Sequence, residues 1–304
     1  MMNIPEEVKI KEVGPRDGLQ NEPEIIPTEE KINWINALSN TGISYIEISS
    51  FVHPKWIPQL SDAFEVGRGI IRNPNVTYAA LVPNSKGLER ALAVGIDEVS
   101  VFMSASETHN KKNINKSIAD TFPVLKEVAE TAKQEGKTVR GYVSTVFGCP
   151  YEGDISFNKL LNICDKLFEM GIEELSLGDT VGVADPLQVS RLIKDLSDRY
   201  SAQKFALHFH DTRGTAMANV LAAMLEGINT FDASLGGLGG CPYAKGASGN
   251  LATDDLVYML HQMNVNTGVN HHKLIEAAKL IQRSLAKSLP SRQMQLISHE
   301  EVSQ

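Results

Sequence analysis

The sequence predicts a single (β/α)8 TIM barrel followed by additional C-terminal helices. Three observations lead there. Eight short β-rich runs alternate with longer helical stretches, a glycine recurs where helices return to strands, and no Pro- or Ser-rich linker interrupts the alternation. Alternating strands and helices call for a parallel sheet with right-handed crossovers, and eight repeats close such a sheet on itself. An open doubly wound sheet is the structural rival. At 304 residues the chain suits one large catalytic domain, 1–304, with its helical extension beginning at about residue 251.

The expected strands are 8–13, 45–51, 76–81, 98–103, 138–145, 173–178, 205–209 and 230–234. Helical patterns lie between them, among them 28–39, 117–134, 157–170, 186–199 and 215–225, and continue after the last strand over 251–263 and 272–287. Thr28 ahead of Glu29 and Glu30 reads as an N-cap before an acidic first turn, which suits the helix dipole. Asp185 before Pro186 reads as a second N-cap, with proline at the first helical position. Gly42, Gly95, Gly171 and Gly227 each follow a helix and precede an isoleucine that leads into a strand, where a left-handed C-cap is wanted. Residues 290–304 are polar and expected to fray.

Composition narrows the partners. Net charge is −8 with no dense basic run, which argues against nucleic acid. Cys149, Cys164 and Cys241 are too few and too scattered for a disulfide framework, so a reduced, cytoplasmic setting is the natural reading. The first residues do not read as a signal or transit peptide, and no apolar run reaches membrane-spanning length.

In a barrel of this kind the chemistry collects at the C-terminal ends of the strands. The first strand runs into Arg16 and Asp17, the second holds Glu47, the sixth leads to Asp179, and the seventh ends in His208, His210 and Asp211. His208 and His210 are two apart, so both imidazoles face one side of a strand. Closure sets strand one beside strand eight and eight beside seven, which brings Asp17 near the histidines across roughly 190 residues of sequence. Asn250 follows the last strand's loop and can add an amide oxygen. Asp17, His208, His210 and Asn250 thus offer two nitrogens and two oxygens for a divalent metal. Mg2+ or Mn2+ fits if water or substrate completes six ligands, and two imidazoles also leave zinc open.

The segment 235–250 carries glycines on both sides of Cys241. It is no Walker A loop, because Lys245 is not preceded by glycine, and no GxGxxG frame fits. Glycines on both sides suit a loop that opens and closes with a cysteine at its tip.

At these residues the chain resembles the hydroxymethylglutaryl-CoA lyases, within a wider group of metal-dependent barrel lyases and synthases. The likeness runs through VGPRDGLQNE (13–22), SSFVHPKWIPQ (49–59), KKNINKSI (111–118), RGYVSTVFGCPYEG (140–153), SLGDTVGVADP (176–186), HFHDTRG (208–214) and GGLGGCPYAKGASGNLATDDLVYML (236–260). Arg-Asp-Gly and His-x-His-Asp identify only the wider group, whereas the glycine-cysteine loop ending in Gly249-Asn250, with Arg-Asp-Gly-Leu-Gln-Asn-Glu, is much more specific to the lyases.

The resemblance implies retro-Claisen cleavage of (S)-3-hydroxy-3-methylglutaryl-CoA to acetyl-CoA and acetoacetate, as in leucine degradation and ketone-body metabolism, on a Mg2+ or Mn2+ centre. It places the metal ligands on Asp17, His208, His210 and Asn250, the substrate-orienting arginine on Arg16 and the catalytic cysteine on Cys241. Glu47 and Asp179 become acidic site residues and Gln20 a polar substrate neighbour, with Lys111, Lys112 and Asn113 on the edge that binds CoA. Either His208 or Asp17 is the base. A homodimer is implied as well. The chain reads as lacking the mitochondrial targeting segment and C-terminal cysteine of some eukaryotic relatives, so control through that thiol is not expected. Arg213 and Thr215 also vary a stretch beside the metal ligands. The rival readings are a condensing synthase of the same group, a zinc hydrolase, and a metal-binding module without turnover.

Overall fold

The computed structural model of the chain describes residues 4–240 and 249–302. Eight parallel strands close into a barrel in sequence order. They are β1 (Lys9–Glu12), β2 (Tyr45–Ser50), β3 (Thr77–Leu81), β4 (Glu98–Ser104), β5 (Thr138–Ser144), β6 (Glu174–Asp179), β7 (Phe205–Phe209) and β8 (Thr230–Ala233). Each lies within a residue or two of its expected run. The closing seam pairs β1 with β8 from Lys9↔Thr230 to Glu12↔Ala233, and β7 meets β8 at His208↔Asp232.

Helices α1 (Thr28–Leu38), α2 (Ala63–Gly69), α3 (Ser85–Ala93), α4 (Glu107–Ile114), α5 (Ile118–Gln134), α6 (Phe157–Glu169), α7 (Pro186–Ser197) and α8 (Ala216–Leu225) occupy the crossovers, and α9 (Thr253–Gln262), α10 (His271–Leu285) and α11 (Arg292–Val302) follow the last strand. The four return glycines all have positive φ, between 74° and 94°. Gly42 could carry no side chain in any case, since a Cβ there would lie 2.1 Å from the Gly268 carbonyl oxygen.

Two local expectations are corrected. Thr28 does not cap α1: the cap position is Pro27, and the Thr28 hydroxyl donates instead to Asp62 at 2.7 Å. Over its described residues the tail is helical: α11 runs to Val302, Asp255 caps its start by accepting the Arg292 and Gln293 amide protons at 2.9 Å each, and Met294 is buried. Asp185 does cap α7, accepting from the amides of Leu187 and Gln188.

Strand periodicity sorts the core into two regions. Residues such as Ile46, Ile48, Val99, Val101 and Leu207 face outward and are buried under the helices. The alternate positions face inward and are largely polar. Near the bottom, Lys11 pairs with Glu174 at 2.8 Å and Arg140 with Glu174 at 2.6 Å. Above them sit Glu47, Tyr142, Ser176, His208 and Asp232, all buried. The barrel interior is therefore an ion-paired stack that leads up to the site.

Candidate metal centre and active site

After β1 the backbone folds into a single π-helical turn, Gly14–Gly18, in which the amides of Arg16, Asp17 and Gly18 all donate to the Val13 carbonyl. Single π turns mark functional sites often enough to be informative. This one carries Arg16 and Asp17 over the barrel mouth, where the sequence predicted only a strand end.

Asp17, His208 and His210 each offer a ligand atom, and the three atoms lie within 4.8 Å of one another. Asn250 joins them by two routes. Its backbone forms an antiparallel bridge with His210, and its Nδ2 donates to Asp17 at 2.8 Å and to the Leu238 carbonyl at 3.0 Å. Two buried atoms here, Asn250 Oδ1 and His210 Nδ1, find no hydrogen-bond partner among the described residues. Buried polar atoms are rarely left so.

The electrostatics suit a cation. Burial alone would raise the Asp17 carboxyl, but Arg16, both histidines and the Asn250 amide outweigh it and hold it at about 2. Burial, and then His208, pushes His210 down to about 4. An ionised carboxylate and a neutral imidazole are the forms that ligate metal. The donor set therefore fits a divalent ion.

Arg16 is anchored on three sides. Its Nε donates to Glu47, its terminal nitrogen pairs with Asp17, and its guanidinium lies 5.0 Å from the centre of the Tyr142 ring. Glu47, fully buried, also accepts from the Tyr142 hydroxyl at 3.1 Å. Glu47 and Tyr142 thus orient the guanidinium. Tyr142 escaped the sequence reading. Its signal was its parity with Arg140 on one strand, which becomes meaningful only once that face is known to point inward.

Asp232 escaped as well. Its carboxylate takes the Ser176 hydroxyl at 2.7 Å and the Arg140 guanidinium at 2.5 Å, and it lies 3.2 Å from His208 Nδ1. Burial disfavours its charge, yet Arg140 and His208 keep it well below the usual carboxylate range. An Nδ1–H bond to an ionised partner leaves the His208 Nε2 lone pair facing Asp17, 3.9 Å away.

Asp179 is placed differently from its neighbours. Its two oxygens accept the Val183 and Ala184 amide protons at 2.9 and 3.0 Å. That arrangement shapes the loop after β6, which Arg213 braces by donating to the Val181 and Gly182 carbonyls and Thr215 by donating to the Ala184 carbonyl.

A cavity of about 520 Å³ opens over these groups, with Arg16, Asp17, Gln20, His208 and His210 at its base and Asn113, His53 and Trp56 among its lining. Gln20 donates to Asp17 at 3.1 Å. Lys111 lines a separate depression with Lys116 and Ser117 and is paired with Glu107, while the Lys112 ammonium stands 4.7 Å over the Tyr151 ring. Of the three residues expected at the CoA edge, only Asn113 lines the main cavity. Cys241 lies outside the described residues. The backbone flanking it is tightly closed: a Cβ on Gly249 would fall 1.0 Å from the Gly239 carbonyl oxygen.

The HMGL-like family model matches residues 7–281. The chain is 59% identical to the hydroxymethylglutaryl-CoA lyase of Bacillus subtilis over 97% of its own length and 99% of that protein. The crystal structure of the Bacillus enzyme superposes with a TM-score of 0.97, covering 98% of this chain and 100% of that one. An HMG-CoA lyase from Acinetobacter baumannii, solved in complex with coenzyme A and 3-methylmalate, is 42% identical with a TM-score of 0.90 over 94% of each chain.

Proposed function

The chain belongs to the HMGL-like family, and from that premise we propose that it cleaves (S)-3-hydroxy-3-methylglutaryl-CoA into acetyl-CoA and acetoacetate. The observation that carries this reading is the Asp17–His208–His210 cluster, completed by the Asn250 oxygen, which has no partner among the described residues, and set beside a buried, oriented arginine.

Asp17, His208, His210 and Asn250 would hold Mg2+ or Mn2+, which supplies Lewis acidity toward the substrate's C3 hydroxyl and carboxylate oxygens. The C3 hydroxyl loses its proton, the C2–C3 bond breaks, and its electron pair passes to the acetyl-CoA enolate. Of Asp17 and His208, Asp17 is the group we expect to accept that proton, because the one lone pair of a neutral His208, with Nδ1–H on Asp232, would be committed to the metal. Arg16 faces the same cavity with its charge fixed, so it can stabilise the enolate oxygen without losing a proton itself. Glu47 and Tyr142 keep its fork in place, and Asp179 shapes the adjoining loop. The enolate carbon then takes a proton from the Cys241 thiol, a role that rests on the sequence.

The CoA portion would extend past Gln20 and Asn113 toward Lys111 and Lys112 at the rim. Among the described residues no helix is long and apolar enough to cross a membrane. A cytoplasmic homodimer is the form we expect, and sedimentation would check the subunit number.

The deciding test is product analysis. Acetyl-CoA and acetoacetate should appear in equal amounts from the thioester, with activity lost to a chelator and restored by Mg2+ or Mn2+. Release of free CoA without acetoacetate would replace this reading with a thioester hydrolase.

A further inference from the structure

Glu12 ends β1 on the side opposite the metal. It shares the outward parity of Ile10, where the barrel wall is otherwise apolar, and it is fully buried. A carboxylate in such a place needs partners, and it has three. Oε1 accepts the Gly14 amide at 2.8 Å and the Leu235 amide at 2.9 Å, and Oε2 accepts the Thr253 hydroxyl at 2.7 Å.

Those partners belong to separate segments. Gly14 opens the π turn that presents Arg16 and Asp17. Leu235 begins the chain that continues to Leu238, whose carbonyl accepts from Asn250. Thr253 starts α9, three residues beyond Asn250. The packing around the carboxylate is close. A Cβ on Gly14 would sit 2.5 Å from Glu12 Oε1, and one on Gly18 would sit 2.6 Å from the Ser234 hydroxyl. Both glycines of the turn are thus pressed against this assembly.

We propose that Glu12 is a positioning residue, which holds the Arg16–Asp17 turn and the Asn250 segment in the mutual register that the metal centre requires. The proposal rests on the reading of Asp17, His208, His210 and Asn250 as ligands. Backbone hydrogen bonds to one carboxylate transmit position because the three segments share a single anchor. Without it, the Gly14 and Leu235 amides lose their common acceptor in a site too tight for another group to replace it.

The test is the Mn2+ affinity of the metal-free full-length protein, read by electron paramagnetic resonance, alongside kcat and KM. Glu12→Ala should weaken Mn2+ binding on the order of tenfold or more, the scale for groups that support a metal's ligands. kcat should fall with it and KM should change little. Glu12→Gln retains an acceptor oxygen for the two amides and should stay near wild type. Thr253→Val removes one of the three contacts and should weaken binding by a smaller factor, which keeps the test decisive if Glu12→Ala does not fold. A folded Glu12→Ala with wild-type Mn2+ affinity, or unchanged affinity in Thr253→Val where Glu12→Ala fails to fold, overturns the proposal. His210→Ala separates the two possible failures. Affinity equal to wild type there removes the ligand set and the proposal with it, whereas a loss confined to His210→Ala removes the role of Glu12 alone.

Discussion

His208 and Asp232 are register partners on β7 and β8, and the imidazole Nδ1 lies 3.2 Å from the Asp232 carboxylate. The same carboxylate balances the buried charge of Arg140. Asp232→Asn should therefore weaken Mn2+ binding about 10- to 100-fold, since the amide no longer holds His208 in one tautomer. Titration calorimetry checks this, and unchanged affinity would show that His208 needs no orienting carboxylate.

The ligand set makes a simpler prediction. His210→Ala should lose metal affinity and turnover together while circular dichroism and the thermal transition still report a folded barrel. A folded variant with full affinity would exclude His210 from the centre.

Arg16 uses a planar fork, with Nε on Glu47 and a terminal nitrogen on Asp17. Lysine keeps the charge but cannot make both contacts. We expect Arg16→Lys to lower kcat by about 10² or more with a modest change in KM, the pattern of an interaction made mainly in the transition state. Glu47→Gln should shift the same parameter by a smaller factor. A change confined to KM would make Arg16 a ground-state anchor.

Cys149 is buried with its thiol on Ser106, and burial pushes the Cys164 thiol up to about 12. Alkylation of the native protein should thus fall on Cys241, and bound substrate should slow it. Cys241→Ser should cut kcat by on the order of 10², the scale for removing a positioned acid, with metal binding intact. Peptide mapping that finds the label on Cys149 or Cys164 instead would count against this.

Burial raises the Glu12 carboxyl to about 7, against the hydrogen bonds of Thr253, Leu235 and Gly14. A carboxyl with a raised folded pKa binds its proton more tightly when folded. Its contribution is full below the unfolded value, near pH 4.5, and is lost as pH rises through about 7. Glu12→Gln is neutral throughout, so the difference between the two proteins isolates this group from Asp17, His210 and Asp254. The variant's stability, followed through Tm, should gain on wild type between pH 5 and 8, by on the order of 3 kcal/mol at most. A pH-independent difference would mean that Glu12 does not titrate in this window.

How much was legible beforehand follows from what each signal encodes. The strands, the return glycines and the His208–His210 pair are local patterns, set by a two-residue or 3.6-residue period and by the backbone freedom of glycine, and these the chain determines alone. The approach of Asp17 to the histidines could be argued as well, because closure of eight strands forces the first beside the last. The strand runs show that two faces differ, one apolar and one polar, but not that the polar face is enclosed. Only the closed barrel makes Arg140 and Asp232, 92 residues apart, a buried pair, and only it places Tyr142 and Glu47 under Arg16. The same closure buries Glu12 on the outer wall among segments more than 220 residues distant. Local periodicity sets which way a side chain points. What it meets there depends on distant segments packed against that face, and tertiary structure alone supplies them.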